Sequence, residues 1–149
     1  MFDISKQSVL PPMSQEDIDI AYIAQEAIGK EEQVYVETNS IIHDGVYYRT
    51  IKLFAGTVAV GALIKVPTVL IISGTVKLFV GNNVYDINGY EVFKGEAHRK
   101  QVAHAISDTY MTMCFKTDAK TLEEAEEEFT DEYEMLISRK QGGELCQEL

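Results

Sequence analysis

The chain of 149 residues has no tryptophan, two cysteines and three prolines, and only 13 lysines and arginines against 24 aspartates and glutamates. Each scarcity excludes something. Cys114 stands in an apolar, strand-like run and Cys146 in a polar tail, so no disulfide framework is expected, and reduced thiols in a cytoplasm are the simpler reading. A net charge of −11 and a pI near 4.6 argue against a binder of DNA or RNA duplexes or of anionic membranes. The longest apolar runs fall short of a membrane span and contain Lys65 and Pro67. The opening "MFDISKQSVLPPMSQED" has no basic stretch leading into an apolar one, so no signal peptide is expected. Gly-x-Ser-x-Gly, a glycine-rich phosphate loop and Cys-x-x-Cys are all missing. The expectation is a cytoplasmic protein, a binder rather than an enzyme, with no catalytic residue assigned.

What the chain does have is β-forming sequence. Residues 33–118 read as strand after strand, "VYVETNSIIH", "VYYRTIKLF", "TVLIISG", "TVKLFVG", "YEVFKG" and "TYMTMCFKT" among them, rich in Val, Ile, Tyr, Phe and Thr. Turn signals punctuate them at Asp44-Gly45, Gly56, Ser73-Gly74, Gly81-Asn82-Asn83, Asn88-Gly89 and Gly95. Short strands at that spacing indicate an antiparallel sandwich or barrel.

Helical pattern flanks this zone on both sides. In residues 1–32, Ser14 caps a helix that Gly29 stops, with Ile18, Tyr22, Ile23 and Ala27 on one face. In residues 119–149, Thr121 and Glu124 form a capping box, and Leu122, Ala125, Phe129, Tyr133 and Leu136 make one apolar stripe that runs to a stop at Gly142-Gly143. Residues 121–149 hold ten acidic and two basic residues, net −8, leaving −3 for the rest. The acidity belongs to this helix, and a basic patch elsewhere remains open.

The strand zone resembles the cupin superfamily, small antiparallel barrels with a pocket in the wider mouth. "FAGTVAVG" is similar to the cupin entry turn, "LIISGTVKLFV" to the strand-Gly-strand that follows, and "GYEVFKGEAHR" to the second motif, with Gly95 and His98 in the glycine and histidine positions. Val102 stands where asparagine is common. The resemblance implies a mainly β fold, a cupin-like antiparallel β-barrel of jelly-roll type with flanking N-terminal and C-terminal α-helices. It also locates a metal site, and there the chain departs from the pattern. The two histidine positions fall on Ala62 and Ile64 and the glutamate position on Thr68 or Val69, so no metal and no cofactor are expected. Over residues 48–139, "GALIKVPTVLIISG", "RKQ", "DTYMTMCFKT" and "EEAEEEFTDE" resemble small cupin-like proteins of bacteriophages and prophages. That implies a phage product in a bacterial cytoplasm or a virion.

Six residues are the candidates for a ligand site. Lys65 is a charge inside an apolar stretch, next to a proline. His98, Arg99, Lys100 and Gln101 follow the second motif; at strand period Arg99 and Gln101 share one face, suited to a carboxylate or phosphate, and His98 and Lys100 the other. Tyr90 is one of the tyrosines able to stack on a flat ligand. The expected function is binding of a small anionic or nucleotide-like ligand in the barrel mouth, with sequestration of a host nucleotide signal as one form. One rival is a structural or host-protein interaction protein acting through Glu124, Glu127, Glu128 and Asp131. A second is a metal-free isomerase or lyase with His98 as base. Self-association into a homo-oligomer is expected from "GALIKVPTVLIIS" and "TYMTMCF".

Overall fold

Asp44 and Gly45 take left-handed backbone, φ 49° and 76°, and so close a two-residue antiparallel hairpin between β2 (Glu37–His43) and β3 (Val46–Leu53). This is the first of two hairpins that frame the computed structural model, which describes residues 8–139. The second joins β5 (Thr68–Val80) to β6 (Asn83–Gly95), each 13 residues long and paired over its whole length.

Turns were expected inside those two strands, at Ser73-Gly74 and Asn88-Gly89. The strands run through both. Gly74 and Gly89 face each other in the ladder with φ of 140° and 111°, and the hairpin bends there from one sheet into another. Before the bend, β5 pairs with β8 (Thr109–Lys116) from Val69 to Ser73; after it, with β7 (Val102–Ala105) from Val76 to Phe79. A Cβ on Gly74 would stand 2.8 Å from the Cα of Thr109. Only glycine fits this corner.

The result is a larger sheet ordered β1-β6-β5-β8-β3-β2 and a smaller one in which β4 (Val58–Val60) pairs with β7 and β7 with the far half of β5. The larger sheet begins with β1 (Ser8–Leu10), parallel to the end of β6. The sheets share the long hairpin and do not close into a complete cylinder. Between them lies the core, built by alternation: Leu70, Ile72, Val76 and Leu78 from β5, Met111, Met113 and Phe115 from β8, Tyr47 and Leu53 from β3.

Pro11 and Pro12 follow β1, and α1 (Gln15–Gly29) starts as expected on Ser14, whose Oγ accepts from Asp17 N at 3.1 Å. Its buried face is rotated from the one expected. Ile18 and Ala21 are buried and Tyr22 and Ile28 half-buried, while Ile23 is 66% exposed. The small Ala21 seats the helix, so Ile23 turns outward.

At the other end α2 (Leu122–Phe129) starts as expected on Thr121, whose Oγ1 accepts from Glu124 N at 3.2 Å. It is shorter than the single helix expected. At Thr130 the chain turns extended (φ −151°, ψ 148°), then makes two 3-10 turns, Tyr133–Met135 and Ile137–Arg139. Two bonds divert it: Phe129 C=O accepts from Lys65 N at 2.9 Å, and Thr130 Oγ1 from Glu132 N at 3.1 Å. The expected stop at Gly142-Gly143 and Cys146 lie outside the described residues. Ring packing of Phe129 with Tyr47 and Phe115, centroids 6.0 and 6.1 Å apart, pins the whole segment over the sheet as a cap.

Candidate functional site

Alternation along β3 turns Tyr47, Arg49, Ile51 and Leu53 to the interior. One of the four is an arginine, only 8% exposed. A buried guanidinium needs an anion or several acceptors, and the cap supplies them. Glu126, 3% exposed and beside the buried Ala125 and Phe129, brings Oε2 to 3.5 Å from Arg49 Nη1. Ser138 Oγ accepts from the same Nη1 at 3.0 Å. The Ser138 hydroxyl and the Arg139 guanidinium both donate to Glu126, and these bonds hold the Arg139 guanidinium above its ordinary pKa range. The described hydrogen bonds and the ion pair of Arg49 all run through Nη1.

Beneath the cap is a cavity of about 100 Å³. Ile51, Leu53, Leu70, Met111 and Met113 form its sheet wall, Ala62 and Ile64 the wall opposite, and Phe129, Leu136 and Ile137 its roof. Arg49 and Gln101 are the polar side chains on this otherwise apolar lining. Gln101 is 8% exposed, and its Oε1 has no hydrogen-bond partner among the described residues. A carboxamide left unsatisfied in an apolar cavity costs about 1–3 kcal/mol. Groups kept at that cost point to something that satisfies them.

Of the six candidate ligand residues, only Gln101 lines this cavity. The two-faced pattern expected of residues 98–101 fails because they form no regular strand. A single bridge, Ile64 to Arg99, stands there, and Arg99, Lys100 and Gln101 are buried side by side. Arg99 is sealed in elsewhere. Nη1 donates to Glu96 O, Nη2 to Thr68 Oγ1 at 3.0 Å, and the guanidinium lies so close over Gly95 that a Cβ there would meet Nη1 at 2.5 Å. Burial lowers its pKa to about 10, with the charge of Glu96 acting in the opposite sense.

Lys100 ties three segments together. Nζ donates to Gly61 O at 2.8 Å, sits 3.5 Å from Glu132 Oε1 and lies 4.3 Å over the Tyr22 ring. Burial, followed by the charge of Glu132 and a hydrogen bond to it, pushes the Tyr22 phenol up to about 12. His98 is exposed at φ 72°, and its backbone bridges Ile64 O and Met13 N at 2.7 and 2.9 Å. Its ring lines no part of the cavity, so the geometry does not favour it as a general base. Lys65 is on the surface, 2.6 Å from Asp131. Tyr90 is 49% exposed on the outer face of β6. Glu124, Glu127, Glu128 and Asp131 are exposed. Three of them also hold the cap: Glu128 accepts from Thr117 Oγ1 at 2.6 Å, Glu127 stands 3.7 Å from Arg139, and Asp131 pairs Lys65.

Arg49 and Glu126 are the residues that sequence reasoning passed over. The signal for Arg49 was available, since it shares strand parity with Tyr47, Ile51 and Leu53. Glu126 was hidden among seven neighbouring acids, all assigned alike to one acidic helix.

No family model matches the chain, and no curated protein matches its sequence. Solved structures do. Salicylate 1,2-dioxygenase from Pseudaminobacter salicylatoxidans is similar over 87% of this chain and 42% of its own, at TM-score 0.51 and 14% identity, so the chain spans less than half of that enzyme. A cupin superfamily protein from Desulfitobacterium hafniense DCB-2 is similar over 74% of this chain and 100% of its own, at TM-score 0.49 and 15% identity. Ectoine synthase from P. lautus is similar over 68% and 78%, at TM-score 0.48 and 17% identity. The structural neighbours are cupin superfamily proteins, and the fold is cupin-like.

Cupin folds raise the question of a metal. Ala62 and Ile64, where the resemblance locates histidines, do line the cavity and carry no donor; Thr68 is committed to Arg99, and Val69 points to the outer face. A guanidinium and a carboxamide are not a metal's ligand set. Among the described residues, no three His, Cys, Asp or Glu side chains are grouped to hold an ion. The site does not fit a metal.

Proposed function

We propose that this protein is a non-enzymatic binding module that holds a small anionic ligand, a short carboxylate with one hydroxyl on an apolar body, beneath its C-terminal cap. The observation that carries this reading is the presence of Arg49 and the unpartnered Gln101 in one apolar cavity. A carboxylate takes the guanidinium edge that Glu126 does not use, since a guanidinium presents five donors. Gln101 Oε1, an acceptor, takes a hydrogen bond from a hydroxyl on the ligand, and Met111 and Met113 adapt to the apolar body. At about 100 Å³ the cavity is well below the roughly 300–1,000 Å³ of sites for drug-sized molecules, so the ligand has few heavy atoms.

The sequence resemblance to phage and prophage proteins supplies the biological half of the proposal: a phage product that removes a small host anion from the cytoplasm. A host nucleotide signal would need more room, and would enter only with the cap displaced. Native mass spectrometry at rising collision energy tests the reading. Release of a small organic acid is expected, and Gln101→Leu weakens its retention about tenfold, the loss of one hydrogen bond. Retention unchanged in Gln101→Leu, or no binding of any short carboxylate by the purified protein, contradicts it.

The exposure of Glu124, Glu127, Glu128 and Asp131 supports a second reading, docking of a basic host protein. Charge reversal at Glu124 would abolish that docking and leave the ligand in place.

A further inference from the structure

The larger sheet buries one face around the cavity and presents the other to solvent. Strand register lines up the outward residues in rows. Ile41, Tyr48, Cys114 and Val69 are consecutive partners across β2, β3, β8 and β5. Thr50, Thr112, Ile71 and Val92 make the next row, across β3, β8, β5 and β6. Ile41, Val69 and Val92 are 52%, 41% and 46% exposed, and Tyr90 and Tyr110 extend the patch at 49% and 47%.

Three observations say what covers it. The first is charge. In a chain of net −11, the outward positions of β2, β3 and β8, with those of β5 and β6 on the near side of the Gly74–Gly89 corner, carry one acid, Glu37, and three lysines, Lys52, Lys94 and Lys116, all at or next to strand ends; Lys77 and Asp86 lie beyond the corner and pair with each other. Two copies repel over most of their surface and least over this face. The second is hydrogen bonding. The hydroxyls of Thr50 and Thr112, in the middle of the patch, bond each other at 2.7 Å. Covering them strands no polar group, so the face is already prepared to be dry. The third is size. Six strands about 4.8 Å apart, with three residues in β1, about six each in β5 and β6 before the corner and seven or eight in β2, β3 and β8, make a footprint of roughly 600 Å² at about 3.3 Å per residue, before side-chain relief is counted. That exceeds most patches left bare on monomers and approaches the roughly 800 Å² per partner of a specific interface.

We propose that this face joins two copies of the chain about a two-fold axis, sheet against sheet. A flat apolar face is its own complement, which is what a two-fold contact requires. The inference is independent of what the cavity binds.

Sedimentation of the full chain is the test. The wild type is expected at twice its 16.7 kDa, and the double variant Val69→Glu, Val92→Glu at the single-chain mass with its thermal unfolding retained, because both positions are already solvent-exposed. Raising the salt should leave the dimer intact or tighten it, since screening removes repulsion and not apolar contact. Thiol labelling in a Cys146→Ser background gives a second readout that needs no charged variant. Cys114 should react at least tenfold more slowly at high protein concentration than at high dilution. A wild-type monomer at high micromolar concentration, a dimer untouched by the double variant, or a dimer dissolved by salt overturns the proposal. So does a monomer that pairs only after removal of residues 1–7, which would assign the face to that segment.

Discussion

Arg49 and Arg99 are both buried arginines on the same small framework, and their surroundings differ in kind. Arg49 meets a carboxylate, Glu126, that is itself held by Ser138 and Arg139, and it borders a cavity. Arg99 meets a backbone carbonyl and a threonine hydroxyl, lies against Gly95, and has no partner for Nε among the described residues. Burial lowers the pKa of the Arg99 guanidinium. Both are enclosed by the chain, and Arg49 in addition lines the cavity. Burial is common to both; a place on the cavity lining belongs to Arg49 and not to Arg99.

The difference can be broken at its strongest point first. Glu126→Ala leaves the Arg49 charge buried without its anion and is expected to cost about 3–5 kcal/mol, the usual penalty for breaking a buried pair from one side, measurable by urea unfolding. Arg99→Met removes a charge that has no carboxylate ion pair among the described residues and fills similar volume, so the same experiment should find a loss of about 1 kcal/mol or less. Equal losses in the two variants would erase the distinction.

Tyr22 reports on the junction where α1, Lys100 and the cap meet. Its phenol titrates at about 12 instead of 10.0, so in an absorbance titration one tyrosine should ionise late, and Tyr22→Phe should remove that step. A raised folded pKa means that the contribution to stability is complete below pH 10 and is lost as the pH rises through 12. Arg99 has the opposite sign. Its folded pKa of about 10 lies below the ordinary 12.5, so between these values the unfolded chain holds the extra proton and stability rises with pH. Alkaline unfolding curves of Tyr22→Phe should therefore lie above those of the wild type, and curves of Arg99→Met below it. The smallest effect is expected on the surface. Lys65→Ala breaks an exposed pair with Asp131 and should cost less than about 1 kcal/mol.

Much of the frame was legible in the sequence. Asp44-Gly45, Ser14 and Thr121 are local devices whose chemistry acts within four residues, and each does what its residue type implies. The cupin-like architecture followed from strand density and motif rhythm. Gly74 and Gly89 misled because glycine marks a tight turn and a sheet corner alike, and only the pairing partner of β5 distinguishes them. Alternation was then applied to residues 98–101, where no ladder exists to impose it, so three buried side chains were divided between two faces. The end of α2 at Phe129 depended on a bond from Lys65, 64 residues earlier, which no local pattern carries. Arg49 needed only the parity rule, since it shares a strand face with Tyr47, Ile51 and Leu53.

Methionine-methyl NMR tests the central claim most directly. Met111 and Met113 line the cavity, whereas Met13 packs under α1 and Met135 lies on the surface of the cap. On titration with short-chain hydroxycarboxylates, the account predicts saturable shifts at Met111 and Met113, none at Met13 or Met135, and at least tenfold weaker binding in Gln101→Leu. Shifts spread over all four methyls, or none at Met111 and Met113 at any concentration, would contradict it.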